Sequence, residues 1–304
     1  MTSPTLSTFS KAEISRRLGG EGIFLDISPF VAHIQSPIPV VSEGIATLYA
    51  DYGLIEAPDT FADFHVSIAN GRRFFRPQCV FKTDGADPFT PLAAGEAYAL
   101  LEWGLNWCVT TYCHTWIAIH SAVLERNGRV LIMPAPPGSG KSTLCAALLL
   151  NGWRLLSDEM ALLDPQTGLV TPSPRPVSLK NQSIDIIRNL SPDTVIGPVA
   201  YDTLKGNVAH ARVPVDSLKR AKEAALPAWV VFPKYKANAP AELVVRGKAA
   251  SFMQLAENCF NQSVHGRGGF AALSDLIDRS DCYDFSYGRL EEAVAIFSQL
   301  PMPQ

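Results

Sequence analysis

The sequence has no long hydrophobic run, no excess of positive charge and no paired cysteine motif. Its longest apolar stretch, 144–150, is far shorter than the roughly 20 residues that a membrane-spanning helix needs. With 26 Lys and Arg against 29 Asp and Glu, the net charge of -3 disfavours nucleic acid as a partner. None of the six cysteines forms a Cys-x-x-Cys pair, so we expect reduced, buried thiols. The N-terminal residues lack a charged-then-apolar secretion pattern, and we expect a cytoplasmic protein that binds no membrane.

The length and the apolar content are those of a folded chain. Its 304 residues, 47% of them hydrophobic, suffice for one large domain or two ordinary ones. Residues 23–34 are predicted as a strand, 41–52 as a helix and 91–111 as a longer helix. From residue 116 the pattern is that of an α/β unit. We therefore predict a mixed α+β N-terminal domain over 1–111 and a second domain over 112–304.

A β-hairpin is predicted to open the second domain. Asn127-Gly128 lies between two apolar runs and is the strongest short hairpin signal. A two-residue loop pairs Arg126 with Arg129 and, in the same register, brings His120 beside residue 135. The later elements are predicted as a helix over 141–150, a strand over 154–163, a strand over 229–232, and helices over 249–259, 270–277 and 290–300.

A glycine-rich loop leaves this hairpin and opens the next helix. It reads Ala-Pro-Pro-Gly-Ser-Gly-Lys-Ser-Thr over 135–143, with Ala135 where the strict phosphate-loop motif has glycine. Backbone N–H groups at a helix start converge on phosphate oxygens, and the helix dipole favours the same charge. In such a loop Lys141 reaches the β- and γ-phosphates and Ser142 binds Mg²⁺. We predict ATP and Mg²⁺ as cofactors, with these nucleotide-binding residues: Pro137, Gly138, Ser139, Gly140, Lys141, Ser142 and Thr143.

An acid pair, Asp158-Glu159, closes the apolar run that follows the helix. Consecutive strand residues face opposite sides, so one carboxylate can bind the metal with Ser142 while the other accepts the nucleophile's proton. Asp158 is the predicted metal ligand, and the identity of the base stays open between the two acids. His120, beside the loop in the hairpin register, would orient the acid or the acceptor, or sense the γ-phosphate.

Two further basic residues are candidates for the catalytic site. Arg175 stands between two prolines, and Lys205 precedes Gly206. Either side chain could grip the nucleotide or neutralise the transferring phosphate. The alternative for Arg175 is a rigid surface loop.

His120, the hairpin, the loop and the acid pair together resemble the catalytic core of the HPr serine kinase/phosphorylases. The HprK-related kinase A group is similar over most of the chain. The segments that carry this closer resemblance are 102–106, 120–126, 152–159, 205–210 and 260–261.

This resemblance implies the P-loop kinase core that HPr kinases share with phosphoenolpyruvate carboxykinases, an α/β fold. It places Lys141 on the β/γ-phosphates, Ser142 on Mg²⁺, and Glu159 at the general-base position, which is Asp in the HPr kinases. The Glu-Ile-Arg-Gly segment that supports phosphorolysis in that family is not found in this chain, so the forward kinase reaction is the expected one. The resemblance also implies a PqqD-type carrier protein as a partner. It makes a homo-oligomer a further expectation.

The leading hypothesis is an ATP-dependent kinase that phosphorylates a hydroxyl, most simply Ser, of a peptide or small protein. One alternative is a kinase for a small metabolite, which needs a closed pocket rather than an open groove. The other is a non-catalytic module that binds ATP and changes its affinity for a partner. The acid pair favours catalysis because a sensor needs no base.

Overall fold

The computed structural model of the chain describes residues 4–56, 61–73, 75–136 and 138–301. They form a mixed α and β protein with mixed sheets, which is compatible with the predicted α/β class. The chain divides into two compact units. Unit 1 comprises Met1–Tyr112 and Arg175–Leu218, and unit 2 comprises Cys113–Pro174 and Lys219–Gln304. The chain first passes from unit 1 to unit 2 after Tyr112, next to the predicted domain boundary. The predicted second domain differs from unit 2, because residues 175–218 belong to unit 1.

The N-terminal segment of unit 1 builds a six-stranded sheet. Its elements are α1 (Lys11–Gly19), β1 (Ile23–Ile27), β2 (Phe30–Gln35), α2 (Pro39–Leu48), β3 (Leu54–Ile55), β4 (Phe64–Asn70), β5 (Gln78–Thr83), β6 (Leu92–Ala93) and α3 (Ala97–Tyr112). The strand order in the sheet is β3-β1-β2-β4-β5-β6.

Two predictions in this segment are corrected. The single strand predicted over 23–34 is the hairpin of β1 and β2, in which Ile27 pairs with Phe30. Pro29 between them has no N–H to donate to a ladder, so the chain turns there. The helix predicted from residue 91 begins at Ala97, because Leu92 and its neighbour first pair with β5 as β6.

The next segment enters unit 2 and contains most of the predicted site. Its elements are β7 (Ile117–Arg126), β8 (Arg129–Pro134), α4 (Lys141–Leu150), β9 (Arg154–Ser157), β10 (Met160–Leu163) and β11 (Val170–Thr171). The predicted hairpin is confirmed, since Arg126 pairs with Arg129 and Ala122 with Met133. Asn127 has φ of 54° and adopts the left-handed backbone that a two-residue loop demands.

The chain then returns to unit 1 and forms a three-stranded sheet in the order β12-β14-β13. The elements are β12 (Val177–Lys180), α5 (Gln182–Leu190), β13 (Ala200–Thr203), β14 (Gly206–Ala211) and α6 (Val215–Lys219). Ala200 and Val208 of this sheet pack with Ala99 and Trp103 of α3, and this contact attaches the segment to unit 1.

The last segment completes unit 2. It contains β15 (Leu226–Tyr235), β16 (Glu242–Val245), α7 (Lys248–Glu257), α8 (Gln262–Arg279), β17 (Asp281–Tyr287) and α9 (Leu290–Ser298). The sheet of unit 2 has the order β11-β10-β7-β8-β15-β17-β16, and β9 also pairs with β7. Within it β8, β15 and β17 are parallel neighbours. Their carboxyl ends therefore lie at one edge, and the predicted phosphate loop leaves β8 at this edge.

Candidate active site

The predicted phosphate loop connects a buried strand to a helix, as its chemistry requires. β8 ends at Pro134, and α4 begins at Lys141, as predicted from the sequence. Gly138 and Gly140 have φ of 84° and 87°, the left-handed region that glycine adopts without strain. Gly140 is also the N-cap of α4. The predicted residue Pro137 lies outside the described residues.

Gly140 is required for a second reason, which is the close approach of two tyrosines. A Cβ on Gly140 would lie 2.4 Å from the Tyr287 hydroxyl and 2.9 Å from the Tyr235 Cβ. The Tyr287 hydroxyl donates a hydrogen bond to the Gly140 carbonyl at 2.9 Å, and the Tyr235 N–H donates to the Ser139 carbonyl at 2.8 Å. Sequence reasoning missed both tyrosines. They end β15 and β17 in matching register. The strand β17 was not predicted, although Tyr283, Phe285 and Tyr287 alternate with polar residues as in a half-buried strand.

Lys141 and His120 are in direct contact. The Lys141 side chain comes from the first turn of α4 and is only 8% exposed. Its Nζ lies 2.9 Å from His120 Nε2. When Lys141 is an ammonium group it can only donate, so Nε2 is then the acceptor in this contact. The register prediction that brought His120 to the loop is thus supported by a side-chain contact.

The backbone around His120 is fixed by the connection between α7 and α8. The His120 N–H donates to the Asn258 carbonyl at 2.7 Å, and the Phe260 ring meets the His120 ring edge-on at 5.8 Å. The buried Asn261 side chain accepts from the Ala118 N–H at 2.9 Å. Residues 260–261, which carried part of the family resemblance, therefore contact the strand that bears His120.

The acid pair lies in a break between two strands and not at the end of one. The strand predicted over 154–163 is interrupted, because the Ser157 Oγ accepts from the N–H groups of Glu159 and Met160 at 3.3 and 3.1 Å. β9 and β10 both pair with β7 on either side of this break. Such irregularities re-aim side chains and are frequent beside active sites. The Glu159 carbonyl accepts from Ser121, the neighbour of His120, at 3.1 Å.

Asp158 is 3% exposed, and its carboxylate acts electrostatically on the Cys145 thiol of α4. Burial, and then the Asp158 carboxylate, raise the pKa of Cys145 well above its ordinary value. The thiol therefore stays protonated at ordinary pH. Lys141, one helical turn before Cys145, and Glu159 also act on this thiol electrostatically. Sequence reasoning had not assigned Cys145 to the site, although its spacing from Lys141 places both on one face of the helix.

The remaining loop residues present polar atoms at the helix start. Ser142 and Thr143 lie half-buried in the first turn of α4. The Ser139 Oγ is buried, and within the described part of the chain it has no hydrogen-bond partner. A buried hydroxyl in this state costs about 1–3 kcal/mol unless a ligand or water satisfies it. This orphaned hydroxyl fits a phosphate oxygen.

Arg175 and Lys205 lie in unit 1, where both contact helix α3. The Arg175 guanidinium donates to the Asn106 side chain and lies 3.6 Å from Glu102 Oε2. Arg175 is 7% exposed, so the alternative of a surface loop is wrong. The Lys205 Nζ lies 4.6 Å from the centre of the Trp103 ring. That either side chain grips the nucleotide or neutralises the transferring phosphate stays a prediction.

The Glu102 carboxylate is the centre of a buried polar cluster in unit 1. It accepts hydrogen bonds from the hydroxyls of Tyr49 at 2.8 Å and Tyr98 at 2.6 Å. Burial, and then Glu102, raise the pKa of both tyrosines, which remain donors. With Arg175 also beside it, Glu102 has partners for the charge that burial would otherwise penalise.

Comparison with models of known protein families found no match, and comparison with curated proteins found none. In the described part of the chain, no helix combines the length and the apolar character needed to cross a membrane. Over the same residues, no group of three or more His, Cys, Asp or Glu side chains is placed to hold a metal ion.

Proposed function

We propose that the chain is an ATP-dependent kinase that transfers the γ-phosphoryl group to a hydroxyl of a peptide or small protein. The observation that carries the proposal is the convergence in unit 2 of the loop lysine, a histidine and an acid pair. Lys141 Nζ lies 2.9 Å from His120 Nε2, and the buried Asp158 acts electrostatically on Cys145 in the next turn of the same helix. On this proposal the fold is a P-loop kinase core of the HPr kinase and phosphoenolpyruvate carboxykinase type.

The loop supports nucleotide binding through three features. The N–H groups at the start of a helix point beyond its first turn and carry the positive end of the helix dipole, and α4 presents this end at the loop. The Ser139 hydroxyl is buried and, among the described residues, unpartnered. Gly138 and Gly140 allow a backbone that other residues adopt only under strain. Together these features suit a chain of phosphate groups.

Ser142 and Asp158 are the proposed holders of Mg²⁺. Both offer oxygen atoms, which are the ligands that Mg²⁺ prefers, and Mg²⁺ is commonly held by one or two protein groups plus substrate phosphates. When bound, Mg²⁺ neutralises phosphate charge.

Each residue of the proposed site has a distinct task. Lys141 places its positive charge on the β- and γ-phosphates, and on doing so exchanges His120 for a phosphate oxygen as acceptor. His120, held by its backbone and by Phe260, orients the acceptor hydroxyl. Glu159 or Asp158 takes the proton from that hydroxyl as it attacks. We place the base at Glu159 because Asp158 is assigned to the metal and is more deeply buried than Glu159.

The acceptor and the partners extend the same proposal. We propose Ser of a peptide or small protein as the acceptor, a PqqD-type carrier protein as a partner, and the cytoplasm as the location. A homo-oligomer is proposed on the family resemblance alone.

The test follows the γ-phosphate. Purified protein, γ-labelled ATP, Mg²⁺ and extract from its own source are incubated, beside Lys141→Ala and Lys82→Ala. Lys82 is an exposed lysine of β5 in unit 1 and serves as the matched control. The expected result is label in a peptide or protein with the wild type and Lys82→Ala, and none with Lys141→Ala. Label confined to small molecules would indicate a metabolite kinase. ATP binding without any transfer would refute the kinase proposal in favour of a sensor.

A further inference from the structure

Two carbonyl groups of the glycine-rich loop accept hydrogen bonds from the strands beside it. The Ser139 carbonyl accepts from the Tyr235 N–H at 2.8 Å. The Gly140 carbonyl accepts from the Tyr287 hydroxyl at 2.9 Å and from the Leu144 N–H at 3.0 Å. The two tyrosines therefore hold two successive peptide groups.

Holding a carbonyl also sets the direction of the N–H in the same peptide group. The peptide is planar and trans, so its C=O and its N–H point in opposite directions. The Ser139 carbonyl shares a peptide group with the Gly140 N–H, and the Gly140 carbonyl shares one with the Lys141 N–H. The bonds from Tyr235 and Tyr287 thus turn these two N–H groups away from the tyrosine groups that hold the carbonyls.

Tyr287 is itself firmly placed. Its side chain is 1% exposed, and its ring stacks on Phe285 at 5.4 Å with an angle of 13° between the planes. The Tyr235 ring meets it edge-on at 5.6 Å, across paired positions of β15 and β17. Burial raises the pKa of Tyr287, so its hydroxyl remains a donor at ordinary pH.

We propose that Tyr287 is a positioning residue that preorganises the phosphate loop for nucleotide through the Gly140 carbonyl, with the Tyr235 backbone as its counterpart. This inference rests on the proposed nucleotide site. A loop already held in its binding conformation loses less conformational freedom when the ligand arrives, and this raises affinity without a new ligand contact. Tyr287 reaches the loop from a strand 147 residues later in the chain.

The test compares Tyr287→Phe with Tyr283→Phe. Both remove one hydroxyl from β17, but Tyr283 pairs with Val231 in the interior of β15 and not with its loop-contacting end. The Phe variant keeps the stacked ring, and its thermal midpoint verifies that it folds. Two readouts are taken: amide hydrogen exchange at Gly140 and Lys141 without nucleotide, and the Kd for Mg·ATP.

The expected result is specific to Tyr287→Phe. Loss of one hydrogen bond corresponds to about three- to tenfold in an equilibrium constant. We expect exchange at the two amides to rise, and the Kd to weaken, by about that factor, while Tyr283→Phe matches the wild type. Loop exchange unchanged in Tyr287→Phe, or faster exchange with an unchanged Kd, would overturn the inference.

Failure of the proposed function is recognised separately. If the wild type binds no ATP while exchange still rises only in Tyr287→Phe, the loop is anchored by Tyr287 as inferred. The nucleotide assignment is then the part that fails.

Discussion

Alanine substitution at the two loop glycines separates backbone strain from steric crowding. Gly138 and Gly140 share nearly the same φ, 84° and 87°. A Cβ at Gly138 would meet nothing within 4 Å, whereas one at Gly140 would lie 2.4 Å from the Tyr287 hydroxyl and 2.9 Å from the Tyr235 Cβ. Because Tyr287 is buried and stacked, its hydroxyl has little room to retreat.

The magnitudes follow from these distances. A left-handed backbone costs a non-glycine residue about 1–2 kcal/mol, and this cost applies equally to both alanines. Overpacking a well-packed site costs about 1–3 kcal/mol, and this applies to Gly140 alone. We therefore expect Gly138→Ala to lower the free energy of unfolding by about 1–2 kcal/mol and Gly140→Ala by about 2–5 kcal/mol.

Urea-induced unfolding, followed by the fluorescence of the buried tryptophans of unit 2, measures this difference. Trp153 and Trp229 lie 6.0 Å apart in that unit. Adding Tyr287→Phe to Gly140→Ala removes the nearer of the two obstructing atoms and should recover part of the lost stability. Equal destabilisation by the two alanines would refute the close approach described for Gly140.

The remaining predictions concern buried groups elsewhere. Glu125→Ala should lower the free energy of unfolding by about 3–5 kcal/mol, because it removes the buried carboxylate that lies 2.6 Å from the buried Arg154. The carboxylate that remains nearest, on the exposed Glu223, is 3.9 Å away. Glu13→Ala removes an exposed ion pair with Arg16 within α1 and should change the free energy of unfolding little. Calorimetry compares the stability of the Glu125 and Glu13 variants. Burial raises the pKa of Cys79 to about 11 and of Cys259 to about 12. Iodoacetamide at pH 8 should therefore alkylate them at least roughly a hundredfold more slowly in folded than in urea-unfolded protein, and mass spectrometry detecting equal rates would contradict this.

Local signals account for what could be predicted from the sequence. The hairpin depends on Asn127-Gly128, whose backbone preference acts within a few residues, and its register followed from the length of the turn. The start of α4 was predicted for a similar reason, because the left-handed Gly140 and the apolar run after it are adjacent in the chain. The position of His120 then followed by counting along paired strands.

Contacts between distant segments account for what was missed. The break at the acid pair is made by the Ser157 side chain, which competes with the ladder for two backbone N–H groups, and apolar content does not reveal such competition. Tyr287 and Arg175 contact partners 147 and 69 residues away. A sequence pattern spans about ten to twenty residues, so it cannot contain both members of such a pair.

The interleaved course of the chain has a consequence for synthesis. Although its six-stranded sheet and helices α1 to α3 are complete by residue 112, unit 1 lacks its three-stranded sheet until Ala211, the last residue of β14, has been made. By then β8 and α4 also exist, but the parallel partners of β8 do not, since β15 and β17 are translated later. The loop between β8 and α4 therefore emerges long before Tyr287, the residue that holds it. A chain truncated before residue 287 would contain every residue of the glycine-rich loop but not the Tyr287 hydroxyl that bonds its Gly140 carbonyl.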